Sequence, residues 1–195
     1  MTPSTPPDID IAAVEDLYRQ LLKMLCQHPD SDGLRDTPRR VAAFWRDFLR
    51  PDPAVTGTTF AYRQCTGDLV AVSGIEAWSL CQHHLLPFRV TVAAAYVPDG
   101  KIIGLSKIAR IVAGHAAGLQ VQETLTQQVA VSLAAVTASP AVGVWAAGEH
   151  LCMMMRGARA GCARTVTQTL LGSAASDPHL ERRLHAAAHP PAGGL

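Results

Sequence analysis

The sequence predicts an α+β fold, in which an N-terminal helix pair precedes elements in the order strand, strand, helix, helix, strand, strand. Three observations predict it. Over the first fifty residues apolar side chains recur every three to four positions, the period of one helix face. Apolar runs of strand length occur at 69–80 and 88–97 and again at 142–155 and 164–170, with turn residues such as Pro98-Asp99-Gly100 beside them. Between those two sets the apolar positions return to helical spacing.

Residues 1–7 are rich in Pro, Ser and Thr and can bury little, so 1–10 reads as a flexible arm. Ile11, Val14, Leu17, Leu21 and Leu25 form the first helical stripe. Thr37-Pro38 announces a second helix, a cap residue followed by proline at the first helical position, and Val41, Phe44, Trp45, Phe48 and Leu49 are its stripe. His28-Pro29-Asp30-Ser31-Asp32-Gly33 is the loop between them, which makes 11–50 a helix pair. After the strands at 69–80 and 88–97, the turn at Pro98-Asp99-Gly100 leads into Lys101-Ile102-Ile103-Gly104-Leu105. Ser106 is placed to cap a helix with Ile108, Ile111 and Val112 on one face, and Gly118 to end it. Glu123, Leu125, Val129, Leu133 and Val136 populate the next helix, closed by a turn at Ala138-Ser139-Pro140. A strand is expected from 142 to 155, a turn at Arg159-Ala160-Gly161, a strand at 164–170 and a short helix near 180–187, the body of the chain running over 51–188 and 189–195 forming a frayed tail.

At 195 residues the chain can bury a substantial core in a body of ordinary domain size. Seventeen Lys and Arg stand against sixteen Asp and Glu, so no global field favours nucleic acid or an anionic membrane, and any anion site must be local. Five cysteines are an odd number without the density of a disulfide scaffold, and the N-terminus lacks a signal-peptide layout, which points to the cytoplasm. The uncharged stretch 124–148 is about as long as a bilayer span. Pro140 and Gly143 interrupt it, so it reads as a buried helix, a turn and the start of a strand.

Chemistry concentrates in two short stretches, Cys81-Gln82-His83-His84 and His150-Leu151-Cys152. Cys81, His84 and Cys152 suit zinc, and three protein ligands leave a catalytic ion one position for water. His83 and His150 are then spare imidazoles, the side chain whose ordinary pKa suits proton transfer near neutrality. If the strand at 142–155 stays regular, His150 and Cys152 share a face, and Met154 and Arg156 continue it, with Arg156 about 13 Å beyond Cys152 at ~3.3 Å per residue. The bare residues leave three readings open: a catalytic zinc, a structural zinc, and ordinary core cysteines and histidines.

Taken in order, Asp36-Thr37-Pro38-Arg39-Arg40-Val41, Cys81-Gln82-His83-His84-Leu85-Leu86-Pro87-Phe88, Ile103-Gly104-Leu105-Ser106-Lys107, Leu119-Gln120-Val121-Gln122-Glu123, His150-Leu151-Cys152 and Met155-Arg156-Gly157 resemble the GTP cyclohydrolase I family. This is the zinc enzyme that opens GTP to give 7,8-dihydroneopterin triphosphate and formate, for folate, pterin or deazapurine-type biosynthesis. The resemblance implies the tunnelling fold, a four-stranded antiparallel sheet with two helices between its middle strands, assembled as a toroidal homodecamer with active sites between subunits. It implies zinc on Cys81, His84 and Cys152, acid-base roles for His83 and His150, and GTP as the small-molecule partner, with neither nucleic acid nor membrane. Glu123, with Gln122 beside it, is implied at the guanine, since a carboxylate can accept from both the ring N–H and the exocyclic amine. Without the resemblance, Glu123 would pass for a solvated residue of a first helical turn, favoured there by the helix dipole. Ser106, Lys107, Arg110 and Arg156 are implied at the ribose and triphosphate, and Arg40 as a cation lent by a neighbouring subunit.

The chain also departs from that pattern. Gln82 stands where the family usually has Glu, and Val90 where it has Gly; Ala43, Ser73 and Gly118 stand where cations are common. The metal, histidine and guanine positions are kept while the cationic surround is thinned. Beside the enzyme the resemblance implies, the departures leave open an altered phosphate preference, compensation by neighbouring arginines such as Arg39 and Arg46, and a catalytically weak paralogue acting as a binding or regulatory subunit.

Overall fold

The computed structural model describes residues 9–49 and 58–191, and these fall into two compact units, one made by each stretch. Most of the expected N-terminal arm (1–8), the join at 50–57 and the end of the expected tail (192–195) lie outside the described residues.

The first unit is the expected helix pair. α1 (Ile11–Leu25) starts where the Asp10 carboxylate accepts the Ala13 N–H at 3.0 Å, which satisfies one of the donors a helix start leaves unpaired. In α2 (Thr37–Phe48) the expected cap shifts by one residue. Thr37 is already helical and Asp36 holds the cap position without a side-chain bond to the helix, its carboxylate facing Arg39 and Arg40 at 3.7 and 3.6 Å. Pro38 is tolerated in that first turn because its missing N–H would have found no intrahelical partner there. The two helices are tied by the Trp45 indole N–H, which donates to the Tyr18 hydroxyl at 2.8 Å, above a fully buried Ala42.

The second unit contains β1 (Thr59–Ala61), β2 (Val70–Cys81), β3 (Pro87–Tyr96), β4 (Lys101–Ile103), α3 (Leu105–Ala116), β5 (Leu119–Gln120), α4 (Gln122–Thr137), β6 (Ala141–His150), α5 (Leu151–Met154), β7 (Thr165–Gly172) and α6 (Pro178–Ala188). Four antiparallel strands, β2-β3-β6-β7, form the sheet with α3 and α4 between its middle strands in sequence, as the tunnelling fold requires. Two small additions were not flagged by periodicity. β5 joins the outer edge of β2 in parallel at its last two residues, and β1 pairs with β4 as a separate ribbon.

One face of the sheet packs on α3 and α4. Phe88, Val90, Val92, Ala94 and Tyr96 alternate inward along β3 to meet Ile108, Ile111 and Val112 of α3 and Leu125, Val129 and Leu133 of α4. On the other face α6 contributes Leu184 and Ala188 against Ala93, Ala95 and Trp145. β2 bends at a bulge between Val72 and Ile75, where Gly74 has φ +70, a conformation that carries no steric cost without a Cβ.

Helix starts differ from the sequence reading at Ser106. Gly104, in extended conformation, is the residue before α3, so Ser106 lies inside the first turn and caps nothing. The uncharged stretch 124–148 resolves as expected into the body of α4, a turn with Ala138 in the left-handed region, and β6. No helix among the described residues is long and apolar enough to cross a membrane.

Leu133 is fully buried at the centre of the larger core. Leu133→Ala is expected to lower the free energy of unfolding by roughly 2–5 kcal/mol, read from denaturant titrations of the two proteins.

Candidate active site

Cys81 is the last residue of β2 and, 6% exposed, belongs to the core on the helix side of the sheet. The chain reverses directly after it. The N–H groups of His84 and Leu85 both donate to the Cys81 carbonyl, at 3.2 and 2.8 Å, and the Cys81 N–H donates to Leu86 at 2.9 Å. Leu85 adopts φ +54 to close this turn. A turn so tight brings both histidines back over the cysteine, with the Nδ1 atoms of His84 and His83 3.6 and 3.9 Å from its sulfur.

The second stretch departs from the extended strand expected at 142–155. β6 stops at His150, and Cys152 sits on the single-turn α5, closed by the Met155 N–H donating to Leu151 at 3.0 Å. The reason lies in the neighbouring strand. His150 pairs with Phe88, and the next residue of β3 is Pro87, which has no N–H to offer, while 82–86 are consumed in the turn. Without a partner β6 cannot continue, and a helical turn satisfies its backbone locally. Cys152 therefore reaches the site by a corner rather than by alternation, and the expected placement of Arg156 along a shared strand face falls away. Arg156 is exposed beyond the corner, where its charge still favours the Cys152 thiolate.

The corner completes a cluster. The sulfurs of Cys81 and Cys152 and a ring nitrogen of His84 all lie within 4.8 Å of one another. A tetrahedral ion with bonds of about 2.0–2.3 Å spans ligand atoms about 3.5 Å apart, so the residues fit a metal with little movement, and the thiol-rich set is of the kind that suits zinc. Burial, and after it the neighbouring Cys81 sulfur, raise the Cys152 thiol above its ordinary pKa. A bound cation would reverse that preference and hold the ligands deprotonated.

His150, the last residue of β6 and two before Cys152, has its ring stacked on Phe88, centroids 4.5 Å apart and planes 9° from parallel. Its Nε2 is 2.8 Å from Oε1 of Gln122. Burial lowers its pKa and the Glu123 carboxylate partly offsets the shift, so the ring is neutral at pH 7. Both residues arrive because β5 runs alongside the end of β2, Cys81 opposite Gln120 and the Gln82 N–H donating to Gln120 at 3.0 Å, which starts α4 next to the metal cluster. Glu123 is exposed in the first turn of α4. Gln122, expected at the guanine with it, is 1% exposed, and its carboxamide nitrogen donates to the Ala146 and Thr165 carbonyls.

Ser106, Lys107 and Arg110 share the first two turns of α3, Ser106 and Arg110 exposed and Lys107 half-buried. Arg40 belongs to the helix-pair unit, beside Asp36. Sequence reasoning did not single out Phe88 or Gly148 for the site, nor Thr126 and Thr167 around Gln122. Only Thr126, four residues after Gln122 on one helix face, had a local signal.

A family model described as GTP cyclohydrolase I matches residues 14–189. This chain belongs to the GTP cyclohydrolase I family. A GTP cyclohydrolase 1 of Alkalilimnicola ehrlichii is 42% identical over 170 residues, covering 85% of this chain and 91% of the relative. One of Hyperthermus butylicus is 43% identical over 177 residues, covering 91% and 90%. Part of the chain is also similar in structure to an archaeosine synthase QueF-Like in its apo form, at 15% identity and a TM-score of 0.47 over 55% of this chain and 97% of the other.

Two cysteine sulfurs and an imidazole could supply three ligands, so the purified protein is expected to carry about one zinc per chain. Cys152→Ser should lose most of it, measured by elemental analysis after dialysis, while His83→Ala keeps it.

Proposed function

We propose that this protein is a zinc-dependent GTP cyclohydrolase I that hydrolyses the imidazole ring of the guanine of GTP, releases C8 as formate and yields 7,8-dihydroneopterin triphosphate. The observation that carries this reading is the convergence of Cys81, His84 and Cys152 within 4.8 Å in a chain of this family, with His83 against the Cys81 sulfur and His150 two residues before Cys152, both outside the cluster. A purely structural zinc would have no use for those two imidazoles.

When bound, zinc supplies a Lewis acid that brings the pKa of water close to neutrality. The chain's own residues do the rest. Glu123, exposed at the start of α4, accepts from the ring N–H and the exocyclic amine of guanine, a charge-assisted pair that selects this base edge. His83 and His150 move the protons that two successive C–N cleavages need, the first opening the ring between C8 and N7 and the second freeing the formyl carbon. Phe88 keeps the His150 ring in one plane for that work. Ser106, Lys107 and Arg110 on α3 and Arg156 beyond α5 meet the ribose and phosphates, and Arg40 of a neighbouring subunit adds a further cation. The reading includes a cytoplasmic homodecamer with sites between subunits, supported by family membership; light scattering on the purified protein tests the size.

His83→Ala and His150→Ala are expected to keep zinc and lose turnover by ~10²–10⁴, measured as formate released from GTP. Full activity in both, or metal loss in both, overturns the division between ligands and proton carriers.

Ala43, Ser73 and Gly118 remove cations from positions where the family often has them, so efficiency with GDP and GMP should fall less far below GTP than full cationic lining would impose. Arg156→Ala should weaken GTP more than guanosine by ~10-fold or more, as a lost charge-assisted hydrogen bond implies, and the penalty should shrink at high salt because Arg156 is exposed. Equal loss for GTP and guanosine would remove Arg156 from the phosphate site.

A further inference from the structure

Gln122 makes an unusual set of contacts for a residue next to a substrate-binding carboxylate. Its amide nitrogen lies 3.0 Å from the Ala146 carbonyl, 3.0 Å from the Thr165 carbonyl and 3.1 Å from the Thr167 hydroxyl, and its Oε1 faces His150. Backbone carbonyls only accept, so the NH₂ group must be on that side; turning the amide over would set oxygen against two oxygens. The hydroxyls agree with this. Thr126 donates to the Gln122 backbone carbonyl at 2.8 Å, so the 2.6 Å contact between Thr126 and Thr167 is made by the Thr167 hydroxyl donating, which leaves Thr167 lone pairs for the amide nitrogen. The network closes from α4 across β6 to β7, and no buried side-chain nitrogen or oxygen among the described residues lacks a partner.

With the amide orientation settled, Oε1 offers His150 nothing but lone pairs. Nε2 of His150 must therefore carry the hydrogen in the 2.8 Å contact. Nδ1 is then the ring nitrogen with the lone pair. Gly148 makes room for this contact. A Cβ there would collide with Gln122 Oε1 and stand 3.0 Å from His150 Nε2.

We infer that Gln122, seated by Thr126, Thr167 and the missing side chain of Gly148, is the positioning residue that holds His150 as the Nε2–H tautomer and leaves Nδ1 to exchange protons with the substrate. This rests on the proposed reaction for its catalytic meaning, but the tautomer itself does not. Outer partners that orient a metal-bound histidine typically matter by about 10–100-fold, and a loss on that scale is expected for His150.

The test combines kinetics with ring-nitrogen spectroscopy on the zinc-loaded full-length protein. Histidine labelled with ¹⁵N, at about pH 8 where the ring is neutral, should show protonated Nε2 and unprotonated Nδ1 for His150, the resonances being assigned by their loss in His150→Ala. Gln122→Met and Gly148→Ala should mix or invert that pattern and lower kcat for formate release about 10–100-fold. The KM for GTP should stay within about threefold, zinc content should not change, and Thr167→Val should give a smaller effect in the same direction. If Gly148→Ala does not fold, Gln122→Met and Thr167→Val carry the comparison. Protonated Nδ1 in the wild type, or unchanged kcat in folded Gln122→Met, overturns the inference. A raised KM at constant kcat also overturns it, by returning Gln122 to the substrate. A wild type that releases no formate from GTP would overturn the proposed reaction instead, while the spectrum still decides the tautomer.

Discussion

Pro87 stands opposite Leu80 in one ladder and Phe88 opposite His150 in the next, so the first two residues of β3 set where the strands on either side of it must end. Pro87 cannot donate, and the five residues before it are the reversal that follows Cys81. β2 thus delivers Cys81 and β6 delivers His150 to the same end of one sheet, and the corner into α5 swings Cys152 back toward Cys81. The parallel pairing of β5 with the last residues of β2 adds the start of α4. Every group proposed to touch the base or the metal follows from this shared boundary.

The environment suits the chemistry because charge is kept away from it. Glu149 and His150 are adjacent in sequence but emerge on opposite faces of β6. Glu149 is taken up on the far face by Arg89 at 3.2 Å and Arg164 at 3.0 Å, while His150 stacks on Phe88 on the near one. That leaves Glu123 as the carboxylate acting on His150, and burial outweighs it, so the ring stays neutral and able to take a proton. The thiols tell the same story from the other side. Burial makes the Cys152 thiol a poor anion by itself, which makes a bound cation the natural way to settle the site.

Rigidity reaches the site through hydrogen bonds rather than bulk. The Gln122 carboxamide joins a helix to two strands and ends on a catalytic candidate, so the orientation of one imidazole depends on groups as distant in sequence as Thr167. Such a fully satisfied buried network is costly to disturb, because any single deletion leaves a partner without a bond in a region that water cannot easily reach.

The sequence by itself determined the element order, the two stretches whose side chains could hold a metal, and the family. Apolar periodicity, turn residues and a run of motifs in one order are all local properties, and local properties survive in a one-dimensional reading. It went wrong where an element's end depended on a neighbour. Residues 142–155 look like one uninterrupted strand until Pro87 denies β6 a partner beyond His150, and nothing along the chain shows that β6 and β7 supply acceptors for the Gln122 amide. Caps failed in the same way, with Asp36 in place of Thr37 and Gly104 in place of Ser106, since a one-residue shift is decided by how the chain enters the helix. Which imidazole nitrogen bears the hydrogen, and why position 148 must be glycine for that contact, were decided only by the tertiary structure, because hydrogen-bond direction is a property of partners that meet in space and carries no signature along the chain.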